Sequence, residues 1–150
     1  MLCAELVPEE TFDGITPLLL NREIAEVTLW NNHAADTTNT EELWLGGGLG
    51  LNLTGSDYSA GIWDGGPIRE THDEFGERVV LQADVLATLQ QDPDAYSDHA
   101  THVAGTLGAA AIDPAATGMA QGVSILSFDY EDSLTELASY ASTLAVSNHS

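Results

Sequence analysis

The sequence predicts an α/β domain with a mostly parallel sheet flanked by helices. The apolar run Ser59-Ala60-Gly61-Ile62-Trp63 ends abruptly at Asp64-Gly65-Gly66, as a buried parallel strand does when it stops at a tight turn. Val123-Ser124-Ile125-Leu126-Ser127-Phe128 is a second run of that kind. Helical patterns open near His99 and after Asp132, and strands that alternate with helices make parallel sheets. A length of 150 residues, with 43% hydrophobic residues, is enough for one folded core.

Taken in chain order, the first 45 residues carry weak signals. Ile15–Leu20 reads as a short strand broken by Pro17, Ile24–Trp30 alternates as a half-buried strand would, and polar Asn31–Asn39 reads as loop. Gly46-Gly47-Gly48-Leu49-Gly50 is a flexible turn. It lacks the Lys-Ser/Thr pair and the flanking strand and helix of a phosphate loop. The domain is therefore expected over residues 46–150, with 1–45 as an amino-terminal extension. After the strand at 59–63, Arg78–Ala83 is a candidate strand and Asp92-Pro93-Asp94 a loop. Asp98 is placed to cap a helix from His99 to Ala110 that is rich in small residues. Gly118–Gly122 is a turn. A last helix, capped by Asp132 or Ser133, has Leu134, Leu137, Ala138, Ala141, Leu144 and Ala145 along its apolar face. Val146–Ser150 then begins another strand.

Charge narrows the partners. Acidic residues number 24 against three arginines, and the formal net charge is −21. Such a chain repels nucleic acid and anionic membranes, so neither is expected as a partner. The acids are spread along the chain, the pattern of a surface adapted to salt, where screening cuts self-repulsion to about 10 Å at ~0.1 M. Cys3 is the single cysteine, which excludes an internal disulfide and reads as an incidental thiol. No apolar run is long enough to span a bilayer, and no secretion signal is visible.

The chemistry concentrates in two segments. A carboxylate at Asp64, leaving the carboxyl end of a parallel strand, sits where open α/β sheets collect working groups. A histidine at position 99, opening a helix, can lie beside it. The carboxylate then holds one imidazole nitrogen and leaves the other free to take a proton from a hydroxyl. Asp64 could otherwise be a turn-forming residue before glycines, and His99 a helix-start residue that caps backbone groups. His102, one turn further on, reads as a structural hydrogen-bonding residue.

Ile62-Trp63-Asp64-Gly65-Gly66 and His99-Ala100-Thr101-His102-Val103-Ala104-Gly105-Thr106 resemble the aspartate and histidine motifs of the subtilisin-like serine peptidases, whose chain order is Asp, His, Ser. Thr71-His72-Asp73-Glu74-Phe75 is similar to the segment after the family's aspartate. Thr117-Gly118-Met119-Ala120 is similar to its turn before the next strand, and Val146–Ser150 to the start of the strand that lines the substrate groove. The likeness covers roughly residues 49–150.

The resemblance implies a subtilisin-like fold, of which this chain holds the amino-terminal part, with residues 1–45 as an extension or the end of a propeptide. It implies a serine endopeptidase acting on polypeptide substrate, with Asp64 as orienting acid and His99 as general base, and a secreted protein whose start lies upstream of Met1. Two positions depart from the pattern: Ala100 stands where the family usually has glycine, and Gly65 where threonine or serine is commoner. The family's Gly-Thr-Ser nucleophile segment and its oxyanion asparagine belong beyond residue 150, and Asn148 does not match the latter. A chain that ends there is expected to be inactive alone and to expose a sheet edge. The alternative is a non-catalytic binding or scaffold protein that keeps a degenerate peptidase fold.

A metal-dependent hydrolase is the weaker third class. His99 and His102 stand three apart without the intervening glutamate and four-residue spacing of a zinc helix. No cofactor is required by the chemistry. Structural calcium, which members of the family bind, remains open, although Asp73-Glu74 and Asp92-Pro93-Asp94 read as solvated loop acids. Trp30, Trp44 and Trp63 read as core or groove-lining aromatics.

Overall fold

A computed structural model describes residues 31–150. The expected strands at 15–20 and 24–30, together with Cys3 and Trp30, lie outside them. Helix α1 (Asn31–Thr38) and a 3₁₀ turn (Glu41–Leu43) precede strand β1 (Ser59–Asp64). A 3₁₀ turn (Asp73–Phe75), strand β2 (Val79–Leu81), helix α2 (Ala83–Gln91) and helix α3 (Asp98–Gly108) follow. The chain continues through a 3₁₀ turn (Pro114–Ala116), strand β3 (Ser124–Asp129), helix α4 (Ser133–Tyr140) and strand β4 (Val146–His149). The strands form one parallel sheet in the order β2-β3-β1-β4. The protein has an α/β fold with a parallel sheet flanked by helices.

Period-two alternation divides β1 between two faces. Ala60, Ile62 and Asp64 point one way, Gly61 and Trp63 the other. The first face meets α3. Ala60, Ile62, Ile68, Phe75, Val79, Ala100, Ala104, Val123 and Ile125 make one buried cluster. Along α3 the buried positions are Ala100, Ala104 and Gly108, spaced four apart, so the helix presents a thin stripe and its axis approaches the sheet closely. A methyl group on Gly108 would stand 3.0 Å from both Ile125 and Val123.

The second face is aromatic. Register places Phe128, Trp63 and His149 side by side on β3, β1 and β4. Their rings stack at 4.2 Å (Trp63–Phe128) and 4.8 Å (Trp63–His149), with interplanar angles of 5° and 7°. Tyr140 of α4 meets Phe128 edge-on at 5.0 Å, and its hydroxyl donates to Gln82 Oε1 at 2.7 Å. Gly61 is required beneath this layer: a Cβ there would collide with the Trp63 ring and lie 2.9 Å from Leu144.

Several elements differ from expectation. Asn31–Thr38 is helix rather than loop. Only Asn31 and Ala35 of it are buried, so periodicity is faint, and the helix is held by its surroundings, with Asn32 Nδ2 donating to Pro114 O at 3.0 Å. The strand expected over 78–83 is confined to Val79–Leu81, because Ala83 already begins α2. Helix α2 was not anticipated: Val85 is its one fully buried residue. Helix α4 ends at Tyr140, and its expected apolar face is divided. Leu134 is 81% exposed, and Ala138, Ala141 and Ala145 are exposed too, while Leu137 and Leu144 are partly covered. The Gly46–Gly50 segment is a turn, with positive φ at Gly46 and Gly50. Strand β4 is exposed along its whole length.

Residues 31–54 pack against the loop leading into β3. Trp44 Nε1 donates to Met119 O at 3.1 Å, and Gly122 N donates to Thr54 O at 2.7 Å. The 117–120 turn is in turn clamped on the end of α3 by Gly118 N to Ala109 O, Met119 N to Thr106 O and Ala120 N to Leu107 O, at 2.8 to 3.0 Å. A Cβ on Gly118 would collide with the Ala109 amide. Gly118→Ala is therefore expected to destabilise the fold by about 1–3 kcal/mol. Gly105→Ala, where the added methyl meets open space in the middle of α3, should be neutral or stabilising by up to ~1 kcal/mol. Urea titration of the two variants measures both, and equal effects would contradict this packing.

Candidate active site

Strand β1 delivers Asp64 to the carboxyl end of the sheet, on the α3 face, with only 4% of the residue exposed. Its Oδ1 accepts the Gly65 N–H at 2.7 Å. His99 is the second residue of α3. The helix starts one residue earlier than expected. Ser97, not Asp98, is the cap, its hydroxyl accepting the Ala100 N–H at 3.0 Å.

The β1–β2 connection is laced to the start of α3 and to β3 by main-chain and hydroxyl hydrogen bonds. Ser97 N donates to Pro67 O at 2.8 Å. Arg69 N donates to Thr101 Oγ1 at 3.0 Å, and that hydroxyl donates to Ser97 O at 2.7 Å. Ile68 N reaches the buried Ser127 hydroxyl at 3.3 Å. Gly66 takes φ +136°, and a Cβ there would stand 3.4 Å from Ser97 Cβ, so glycine serves both the turn and the close approach of the helix start.

This framework brings the two expected residues together. His99 Nδ1 lies 2.8 Å from Asp64 Oδ2 and 3.0 Å from Oδ1. A carboxylate only accepts, so the neutral ring carries its proton on Nδ1 and leaves the Nε2 lone pair free. The His99 side chain is 63% exposed and that of Asp64 5%. The arrangement is an oriented, accessible base on a buried acid.

Around it stand groups whose side chains the sequence did not single out. Tyr130, 58% exposed, lies against Gly65, where an added Cβ would be 3.3 Å from its ring. The Arg69 guanidinium sits 4.6 Å over the Tyr96 ring, and the Tyr96 hydroxyl donates to Glu70 Oε1 at 3.3 Å. Burial, reinforced by the charge and hydrogen bond of Glu70, pushes the Tyr96 phenol above its ordinary value, against the pull of Arg69.

Other expectations meet the structure differently. His102 makes no hydrogen bond among the described residues, in place of the structural bond expected for it. Ala100 is fully buried in the core, so its methyl fills space beneath the helix. Asp92 Oδ1 accepts the Asp94 N–H at 3.1 Å in an exposed loop. Glu74 is not a solvated acid. It is 8% exposed and accepts from Ile112 N at 3.1 Å and Asp113 N at 2.7 Å, fixing the loop beyond α3. Arg78 donates to Val123 O at 3.0 Å and Glu74 O at 2.8 Å. Burial lowers its proton affinity and the charge of Glu74 opposes that.

Among the described residues no three His, Cys, Asp or Glu side chains are grouped to hold a metal ion. No described helix is long and apolar enough to cross a membrane. Comparison with protein-family models, with curated proteins and with solved structures returns no match.

Replacing Ser97 by alanine is expected to cost about 1 kcal/mol of stability, the usual worth of a helix cap. Asp98→Ala, which removes no capping bond, should stay within ~0.5 kcal/mol. Thermal melts of both variants rank them, and a larger loss at Asp98 would reject this assignment of the cap.

Proposed function

We propose that this chain carries the amino-terminal part of a subtilisin-like serine endopeptidase domain, with His99 as general base and Asp64 as the acid that orients it. The observation supporting it most is the 2.8 Å contact between His99 Nδ1 and Asp64 Oδ2, made by residues 35 apart in sequence. It is the pairing that the two motifs, each met separately in the sequence, require of each other.

The steps follow from the geometry. Held by Asp64 through Nδ1–H, the ring turns Nε2 to solvent, where a serine hydroxyl can give up its proton as its oxygen attacks a peptide carbonyl. The ring becomes imidazolium, and the buried carboxylate stabilises that charge without moving. The same proton then passes to the leaving amine, which breaks the peptide bond. In this reading the serine and the oxyanion donors belong to a later part of the polypeptide. The exposed strand β4, whose Asn148 is in register with Ile62 and which is an edge of the sheet among the described residues, supports a polypeptide substrate, since an edge strand accepts an extended chain by main-chain bonds.

The 150-residue chain is expected to remain unlabelled by a fluorophosphonate probe. A longer chain that carries a Gly-Thr-Ser nucleophile segment after residue 150 should label at one serine. In the extended protein, His99→Ala should lower kcat by about 2 × 10⁶ and Asp64→Ala by ~3 × 10⁴, the losses known for the equivalent changes in subtilisin itself. An extended protein whose labelling survived His99→Ala would overturn the assignment.

A further inference from the structure

On the face of β1 turned away from α3, a cavity of about 240 Å³ opens between α2 and the start of α4. Asp84, Asp129, Glu131, Asp132 and Glu136 line it, and among the described residues no cationic side chain does. Glu136 Oε2 accepts the indole N–H of Trp63 at 2.9 Å. Trp63 is the residue before Asp64 and is clamped between Phe128 and His149. Asp129 is the register partner of Asp64 on β3, and its own N–H is held by Asp84 Oδ2. The other Asp84 oxygen is buried without a partner. Five carboxylates therefore line a space at the end of β3, the neighbour of the strand end that carries Asp64.

We infer that Glu136 is a positioning residue for Asp64, and that the carboxylates packed around it make this positioning sensitive to protons. The groups facing Glu136 are Trp63 from β1, Asp84 from α2, Asp129 at the end of β3, and Glu131 and Asp132 before α4. His149 of β4 faces it only across the indole.

Burial pushes the Glu136 carboxyl above its ordinary value. The Trp63 N–H pulls it back, and the charges of Asp84, Asp132 and Asp129 push it up again. The folded chain thus holds this proton more tightly than the unfolded chain does. The stability it contributes is complete below the ordinary glutamate value of about 4.3 and is lost as pH rises through the raised value. Ionised, Glu136 adds one more negative charge to a space that no described cationic side chain lines. The resulting repulsion acts on α2, on the start of α4 and, through the indole, on the last residues of β1.

The functional meaning rests on the reading of Asp64 and His99 as a working pair, but the test is made on the imidazole itself. In the intact 150-residue chain, the ¹H–¹⁵N signals of the His99 ring are followed from about pH 4 to pH 8, with thermal melts in parallel. The wild-type ring signals should carry an inflection from the Glu136 carboxyl. Glu136→Gln keeps an acceptor for Trp63 and drops the charge. It should remove that inflection, melt higher than wild type near neutral pH and match it near pH 4. Glu136→Leu drops both and should disturb the Nδ1–H signal at every pH. Identical His99 titrations in wild type and Glu136→Gln, or a lower melting point of Glu136→Gln near neutral pH, would overturn the inference. Neither result depends on whether an extended chain reacts with a serine probe.

Discussion

The indole of Trp63 governs the carboxyl end of this sheet. Parallel pairing puts Phe128, Trp63 and His149 on one line across three strands, and flat stacking ties those strand ends to one another. The ring has no freedom elsewhere. Gly61 leaves it the space two residues back, and Glu136 satisfies its N–H. Because neighbouring strand residues point to opposite faces, fixing Trp63 on the aromatic face sends the next side chain, Asp64, to the other. An insertion of one residue between them would exchange the two faces and dissolve the site.

The two faces meet different demands. Against α3 the sheet needs a close neighbour, since the helix start must place His99 within hydrogen-bond reach of a carboxylate on the strand. Ala100, Ala104 and Gly108 meet that need by presenting little volume. Against α4 the sheet needs breadth, and aromatic rings provide it. Charge is distributed just as unevenly. Arg78 is committed to the carbonyls of Val123 and Glu74, and Arg69 lies over Tyr96. Among the described residues, the acids near α4 therefore rely on main-chain N–H groups and one indole. Such a set is sensitive to protons and to screening in a way that paired charges are not.

The strand from 59 that stops at Asp64, a helix opening near His99 and the meeting of Asp64 with His99 were legible in the sequence, because each rests on a local pattern: an apolar run stopped by glycines, or a histidine placed at a helix start. What escaped has no local signature. Helix α2 buries little but Val85, and α1 only Asn31 and Ala35, so neither shows a strong apolar period. Ser97 and Asp98 are both good caps by type. The choice between them depends on where Pro67 O pins the chain. Glu74 and Glu136 look like surface acids until the fold brings to each the N–H groups that it accepts. The apolar period after Asp132 was visible, but it overstated burial, since the sheet is covered by Tyr140 of α4 and, beyond the helix, by Leu144, while Leu134 turns outward.

The asymmetry within the pair is what gives it chemical meaning. A carboxylate as buried as Asp64 is costly unless hydrogen bonds replace its water, and here the Gly65 N–H and the His99 ring supply them. The imidazole has the opposite requirement, since a base that must reach a substrate has to remain in solvent while one of its nitrogens is held fixed. A surface histidine without such a partner would rotate among rotamers and lose the orientation that proton transfer needs. The Ser97 cap, the Gly66 turn and the bonds made by Pro67 and Arg69 hold the helix start in place, so the exposed ring is carried by a fixed backbone and oriented by its contact with Asp64. The accessible nitrogen can be rigid because everything beneath it is buried.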